Sequence, residues 1–146
     1  MTVIRPTLYA LPLIGWKENI AFPLLGPGQL VAKIDTGARM AALHAEDLSI
    51  QARSVSFTLM LSGKSKRCKG RLVDVKRIKS SNGAVEKRAV IETEIQIGVH
   101  QFSALITLTD RADMGVPMLL GRESLRGRFL VNPAKTFLLR PKKVNL

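Results

Sequence analysis

The sequence predicts an all-β domain, and three observations predict it. Apolar and polar residues alternate from Ser54 to Leu61, with Val55, Phe57, Leu59 and Leu61 set against Ser54, Ser56, Thr58 and Met60. That is the period of a half-buried strand. Asn82-Gly83 joins two further strand-like runs, Arg71 to Lys79 and Ala84 to Ile97, and both residues tolerate the positive φ that a tight hairpin requires. Turn-forming residues recur so often that only one short helix, Arg122–Leu125, finds room. Such a pattern fits a barrel or a sandwich and does not choose between them.

In chain order, a first strand runs around Gly15-Trp16 and a second through Ile20-Ala21-Phe22 to Pro23, with Gly26-Pro27-Gly28 as a turn. Leu30 to Ile34 reads as a buried strand ending at Asp35. Over Ala38 to Leu48 bare propensity favours helix. Beyond the Val55–Leu61 strand, Ser62-Gly63-Lys64-Ser65 is a turn. Ile91, Thr93, Ile95 and Ile97 then face one way, with Glu92, Glu94 and Gln96 facing the other. Gly98-Val99-His100 turns the chain into the strand bearing Phe102, Ala104, Ile106 and Leu108. An exposed loop from Asp110 to Gly115 precedes a buried strand, Val116 to Leu120. Phe129-Leu130-Val131 and Thr136-Phe137-Leu138-Leu139 close the fold, and a basic tail spans 141–146.

Length suits a single domain covering 1–146 with its core at about 13–140, large enough to bury a core without disulfide or metal. A hydrophobic content of 46% beside 23% charged residues is globular composition and excludes disorder. One cysteine, Cys68, excludes an internal disulfide and a cysteine zinc cluster; Lys66, Arg67 and Lys69 beside it would activate the thiol only if it were exposed. Leu8 to Ile14 faintly imitates a signal sequence, but Pro12 interrupts it, and no apolar run reaches membrane-spanning length. The expectation is a cytoplasmic protein without membrane contact. Net charge is +12, and residues 61–88 hold ten Lys and Arg against two Asp and Glu, eight of the twelve excess charges. A surface so biased either stays solvated or attracts an acidic partner.

The chain centres on Lys33-Ile34-Asp35-Thr36-Gly37-Ala38. A carboxylate where a core strand ends is costly unless hydrogen-bonded, paired or protonated, so Asp35 is a candidate reactive group. Thr36 offers a hydroxyl beside it and Gly37 an unobstructed backbone. Asp-Thr-Gly-Ala after an apolar strand resembles the active-site loop of retropepsin-like aspartic peptidases. Their second hallmark, apolar residues and then glycine opening a short helix, matches Met118-Leu119-Leu120-Gly121-Arg122. Ile14-Gly15-Trp16, Asp35 to Arg39 with Ala42-Leu43-His44-Ala45, and Gly127-Arg128-Phe129-Leu130-Val131 look like a bacterial family labelled ATP-dependent zinc proteases. That family is also described as the retropepsin-like domain associated with RimK-type glutamate ligases. Met40-Ala41 stands where its members carry Thr-Ser, so two hydroxyls are missing near the site.

The resemblance implies an acid-protease closed barrel with one short helix after Gly121, and extended chain rather than helix near Met40–Glu46. Aspartic peptidases use two carboxylates about 3 Å apart sharing one proton, and this chain carries a single Asp-Thr-Gly. Retropepsin chemistry therefore implies a homodimer with Asp35, Thr36 and Gly37 from each copy, supported by Ala38, Leu120, Gly121 and Arg122. The hairpin between the two motifs takes the place of a substrate-covering flap. Its cations Lys76, Arg77, Lys79, Lys87 and Arg88 would receive an acidic peptide or glutamate-modified protein.

His44 could reach the same cleft or serve as a structural hydrogen-bonder, and His100 reads as an exposed turn residue. The two histidines lie 56 positions apart and begin no His-Glu-x-x-His motif; His44 with Glu46 and Asp47 is a weak metal cluster. Gly63-Lys64-Ser65 imitates the end of a phosphate loop, but Thr58 occupies the required glycine position. Neither zinc nor ATP finds a motif, and the expectation is an aspartic peptidase or amidohydrolase without metal or cofactor, linked to a RimK-type ligase system. Two alternatives stay open. One is an inactive peptide-binding module of the same fold; the other is a nucleic-acid-binding barrel using residues 61–88, against which 5% aromatic residues leave few rings to stack on bases.

Overall fold

The computed structural model describes residues 10–79, 83–110 and 115–139, with backbone only at 78 and 79. The strands are β1 (Leu13–Ile14), β2 (Lys17–Phe22), β3 (Gly26–Asp35), β4 (Ala41–His44), β5 (Glu46–Ile50), β6 (Ser54–Leu61), β7 (Lys64–Lys79), β8 (Val85–Ile97), β9 (His100–Thr109), β10 (Met118–Gly121) and β11 (Leu130–Val131); α1 is Arg122–Leu125. The expected all-β class and single short helix are both present. Six strands in the order β2-β3-β10-β4-β9-β8 close into a barrel, because β2 pairs with β3 on one side and meets β8 at Ala21↔Gln96 on the other. Closure covers the free edge of β2. From β8 the sheet continues outward through β7, β6 and β5.

Alternation explains which side chains fill the barrel. Leu30, Ala32 and Ile34 of β3, Ala41 and Leu43 of β4, and Ala104, Ile106 and Leu108 of β9 are buried, while Lys33 and Leu105 between them are exposed. Ile91, Thr93, Ile95 and Ile97 share one buried face of β8, as their spacing predicts. The β6 arm folds back over the barrel: Ser62 donates its amide to the Gln29 carbonyl at 2.8 Å, and Val55, Phe57, Leu59 and Leu61 join the same core as Phe22 and Leu25.

Tertiary structure settles one open local choice, in favour of the extended chain that the family resemblance implies, and overturns three local expectations. Ala41–His44 is a strand, not a helix, because β10 and β9 flank it and bury Ala41 and Leu43; helix propensity of a few tenths of a kcal/mol per residue cannot compete. Gly26-Pro27-Gly28 opens β3, and the turn falls earlier, at Pro23–Leu25, with an irregular register at Ala21/Phe22. The β6–β7 turn is confined to Ser62-Gly63, whose φ values of 49° and 76° are the paired positive angles of a two-residue hairpin, so β7 starts at Lys64. Thr136–Leu139 forms no strand: Phe137 has φ 53° and interrupts extended chain. The hairpin tip at Asn82, the 141–146 tail, the signal-like start at Leu8 and residues 111–114 of the Asp110–Gly115 loop lie outside the described residues. No helix among the described residues is long and apolar enough to cross a membrane.

A buried carboxylate that the sequence does not advertise holds the closing segment. Glu18 on β2 is fully buried, and its oxygens accept the amides of Gly15 at 2.7 Å, Leu138 at 2.9 Å and Leu139 at 3.1 Å. Three N–H donors replace the water that a carboxylate loses on burial, and they pin the C-terminal segment without a strand ladder. Gly15 fits here because a Cβ would stand 2.5 Å from the Lys135 carbonyl oxygen. Glu18→Gln places an NH2 group among donors, so urea unfolding is expected to show a loss of at least about 3 kcal/mol. A loss within the error of the measurement would show that the segment is held by other contacts.

Candidate active site

Strand β3 delivers Asp35 at its last position, and the parallel strand β10 brings Gly121 level with it. Asp35 is half-buried. Its Oδ1 accepts the amides of Gly37 at 3.0 Å and Ala38 at 3.2 Å, and the Ala38 amide also meets the Asp35 carbonyl at 3.2 Å. Two N–H dipoles aimed at one oxygen fix the rotamer of the carboxylate. Among the described residues Oδ2 takes no hydrogen bond. Thr36 and Gly37 lie exposed beside it.

The loop and the short helix hold each other. The first helical amides lack intrahelical acceptors; here Arg122 N–H donates to the Ala38 carbonyl at 2.8 Å and Glu123 N–H to the Arg39 carbonyl at 3.1 Å. The Arg122 side chain adds a bond from Nη1 to the Gly37 carbonyl at 3.1 Å, and Arg39 pairs with Glu123 at 3.3 Å. A Cβ on Gly121 would stand 2.6 Å from both the carbonyl carbon and oxygen of Met40 and 2.9 Å from the Ala38 oxygen. Only glycine lets these backbones cross so closely. Leu120, fully buried and paired with Ile34, anchors β10 in the barrel. Asp35, Thr36, Gly37, Ala38, Leu120, Gly121 and Arg122 thus assemble at one place.

His44 does not join them. Its amide bonds the Pro117 carbonyl, four residues before the Gly121 level of β10, which is about 13 Å along a strand. The ring lies instead between Glu46, 3.1 Å from Nε2, and Asp110, 4.0 Å from Nδ1. These three could offer atoms to a cation within 4.8 Å of one another, with Asp110 in the place expected of Asp47. The carboxylates approach different ring nitrogens, however, and a metal uses one. His100 stacks edge-on to Phe129. Cys68 is only 4% exposed, and burial pushes its thiol up while Lys66 and Arg67 partly offset this, which is the environment of an inert thiol.

The hairpin cations divide by strand alternation. Lys76 is opposite Arg88 in the β7–β8 register and Arg77 is opposite Lys87, so the pairs point to opposite faces. Lys76 and Arg88 are half-buried; Arg77 and Lys87 are exposed. The side chain of Lys79 lies outside the described residues. Lys76 and Arg88 join Arg39, Met40, Ala41, Ala42 and Thr107 around a cleft of about 260 Å³ that begins where the Asp35 loop ends. Arg39 and Thr107 went unassigned in the sequence reading. Arg39 directly follows the recognised Ala38, a usable signal; Thr107 has none, since only the parallel β4–β9 pairing sets it beside Ala42.

A closed barrel whose one loop carboxylate is gripped by a Gly-led helix is the architecture of a retropepsin-like domain. The profile of the RimB-like family, described as retropepsin-like aspartic endopeptidase RimB, matches residues 13–142, and the chain belongs to that family. It is 42% identical over 135 residues to proteins of Shewanella halifaxensis and Shewanella pealeana named probable alpha-L-glutamate ligase, covering 87% of this chain and 30% of each relative. The chain therefore spans under a third of those relatives' length. The Legionella pneumophila protein Lpg0085, of unknown function, superposes with a TM-score of 0.74 at 28% identity, over 88% of this chain and 98% of that one.

Gly121→Ala tests the crossing. The added methyl must displace the Met40 carbonyl, so a loss of about 2 kcal/mol or more in urea unfolding is expected, with shifted Gly37 and Ala38 amide resonances. Unchanged resonances would mean that the loop does not depend on that contact.

Proposed function

We propose that this chain is an aspartic peptidase or amidohydrolase, completed by a second copy of itself and acting on acidic peptides beside a glutamate-ligase activity. The observation that carries the reading is the Asp35 loop: one carboxylate oxygen is held by two backbone amides, the other is unbonded among the described residues, and the frame is rigid. Hydrolysis of an amide by carboxylates needs a pair. One acts as general base for water; the other, protonated, polarises the carbonyl and later helps to protonate the leaving amine. The chain has a single Asp-Thr-Gly, so a two-fold partner is the economical source of the second acid. Exposed Thr36 and Gly37 beside Asp35 leave room for such a partner. The ligase names of the Shewanella relatives support the setting, and the basic 61–88 segment supports the acidic substrate.

One observation favours the inactive peptide-binding module as a second reading. Met40 and the buried Ala41 leave the loop without the two hydroxyls that related chains are expected to carry.

Asp35→Asn separates the two. A peptidase is expected to lose about a thousandfold or more in kcat with unchanged circular dichroism, and the parent chain to show a bell-shaped pH profile and to sediment as a dimer. Turnover that survives in the Asn variant refutes the catalytic role of Asp35.

A further inference from the structure

We infer that the cleft formed by Arg39, Lys76, Arg88, Met40 and Thr107 is a carboxylate-binding subsite that holds an acidic side chain of a peptide substrate. The inference rests on the proposed peptide substrate and names the part of the chain that reads its charge.

Three cations face one cleft, and their partners among the described residues do not neutralise it. Arg39 is tied to Glu123 at 3.3 Å and Arg88 to Glu86 at 3.3 Å, each through one terminal nitrogen. Lys76 Nζ meets only the Met40 thioether, at 3.2 Å, among the described residues. A thioether is a weak acceptor and no counter-charge for an ammonium. The Nε–H of Arg88 is buried and finds no acceptor among the described residues. A buried guanidinium N–H without an acceptor is costly, so the Arg88 head keeps unused donor capacity where it lines the cleft. A carboxylate suits the cleft, because it can accept from the Lys76 ammonium and from a terminal nitrogen of Arg88 together.

Size and position agree. At about 260 Å³ the cleft exceeds the space of one water, about 30 Å³, several-fold, so it has room for a side chain. It runs from Met40, whose carbonyl abuts Gly121, along β4 to Ala42, so an acid seated in it would lie beside the Asp35 loop. Thr107 adds a hydroxyl next to Ala42. Met40, in the place of an expected hydroxyl, supplies an apolar wall along which the methylenes of a glutamate could lie. Charge alone does not define the subsite, because the equally basic Arg77 and Lys87 lie on the other face of the hairpin.

The test uses the full chain carrying Asp35→Asn, so that binding is read apart from cleavage, with tri-α-glutamate and tri-glutamine as probes in calorimetry and Met40 methyl NMR. Tri-α-glutamate is expected to bind, to shift the Met40 methyl, and to exceed tri-glutamine by about tenfold or more in affinity. Lys76→Met with Arg88→Gln should erase that preference, whereas Arg77→Met with Lys87→Gln, the same change of net charge, should keep it. Equal losses in both double variants would overturn the subsite in favour of diffuse attraction. So would tighter binding of a short oligothymidylate than of tri-α-glutamate. Cleavage of neutral peptides by the parent chain without any tri-α-glutamate binding would refute the subsite and leave the role of Asp35 standing; binding with no cleavage of any peptide would do the reverse.

Discussion

The structure depends on one crossing of backbones, where Gly121 passes within 2.6 Å, measured from where its Cβ would be, of the Met40 carbonyl. Every feature of the Asp35 loop follows from it. The close passage lets β10 lie parallel to β3 and places the first amides of α1 under the Ala38 and Arg39 carbonyls. With those carbonyls engaged, the loop bends back, and the Gly37 and Ala38 amides turn toward Asp35 Oδ1. The carboxylate is therefore oriented by the backbone rather than by neighbouring side chains. Such an arrangement costs little to hold in place, since its donors belong to a loop already fixed by packing.

Two acids on neighbouring barrel strands, Glu18 and Asp35, have opposite surroundings. Glu18 is fully buried and surrounded by donors on both oxygens, so nothing remains for a reactant. Asp35 is half-buried and, among the described residues, is hydrogen-bonded on one oxygen only. Full satisfaction closes a carboxylate to any further donor, whereas an oxygen without one stays available to a partner. The same chemical group thus has different hydrogen-bonding capacity in the two places.

Much of the fold was legible because strand alternation leaves a period-two signature, clear in Val55–Leu61 and Ile91–Ile97, and because Asp35 and Gly121 sit in short motifs whose spacing survives in the chain. Less legible was everything decided by non-local pairing. Ala41–His44 consists of good helix formers, and only its burial between β10 and β9 makes it a strand. His44 stands nine positions after Asp35 in sequence, but the strand carries it away from the site. Nothing local in the sequence marks Glu18, because its three donors come from Gly15 before it and from Leu138 and Leu139, 120 and 121 positions after it. The basic 61–88 segment was plain as a sum, while its division into a cleft face and an outer face required the β7–β8 register.

That division bears on what a two-fold particle could recognise. Symmetry repeats whatever one chain offers. Under the proposed pairing of two Asp35 loops, a Lys76–Arg88 cleft beside one carboxylate has a twin beside the other. A peptide laid across the axis would then meet a cationic cleft on each side of the bond held between the acids. A substrate acidic on one side alone would satisfy one cleft and leave the other with its Lys76 ammonium against a thioether. Runs of consecutive acidic residues satisfy both clefts in any register, so such a particle would favour oligomeric acidic chains over peptides with a single acid.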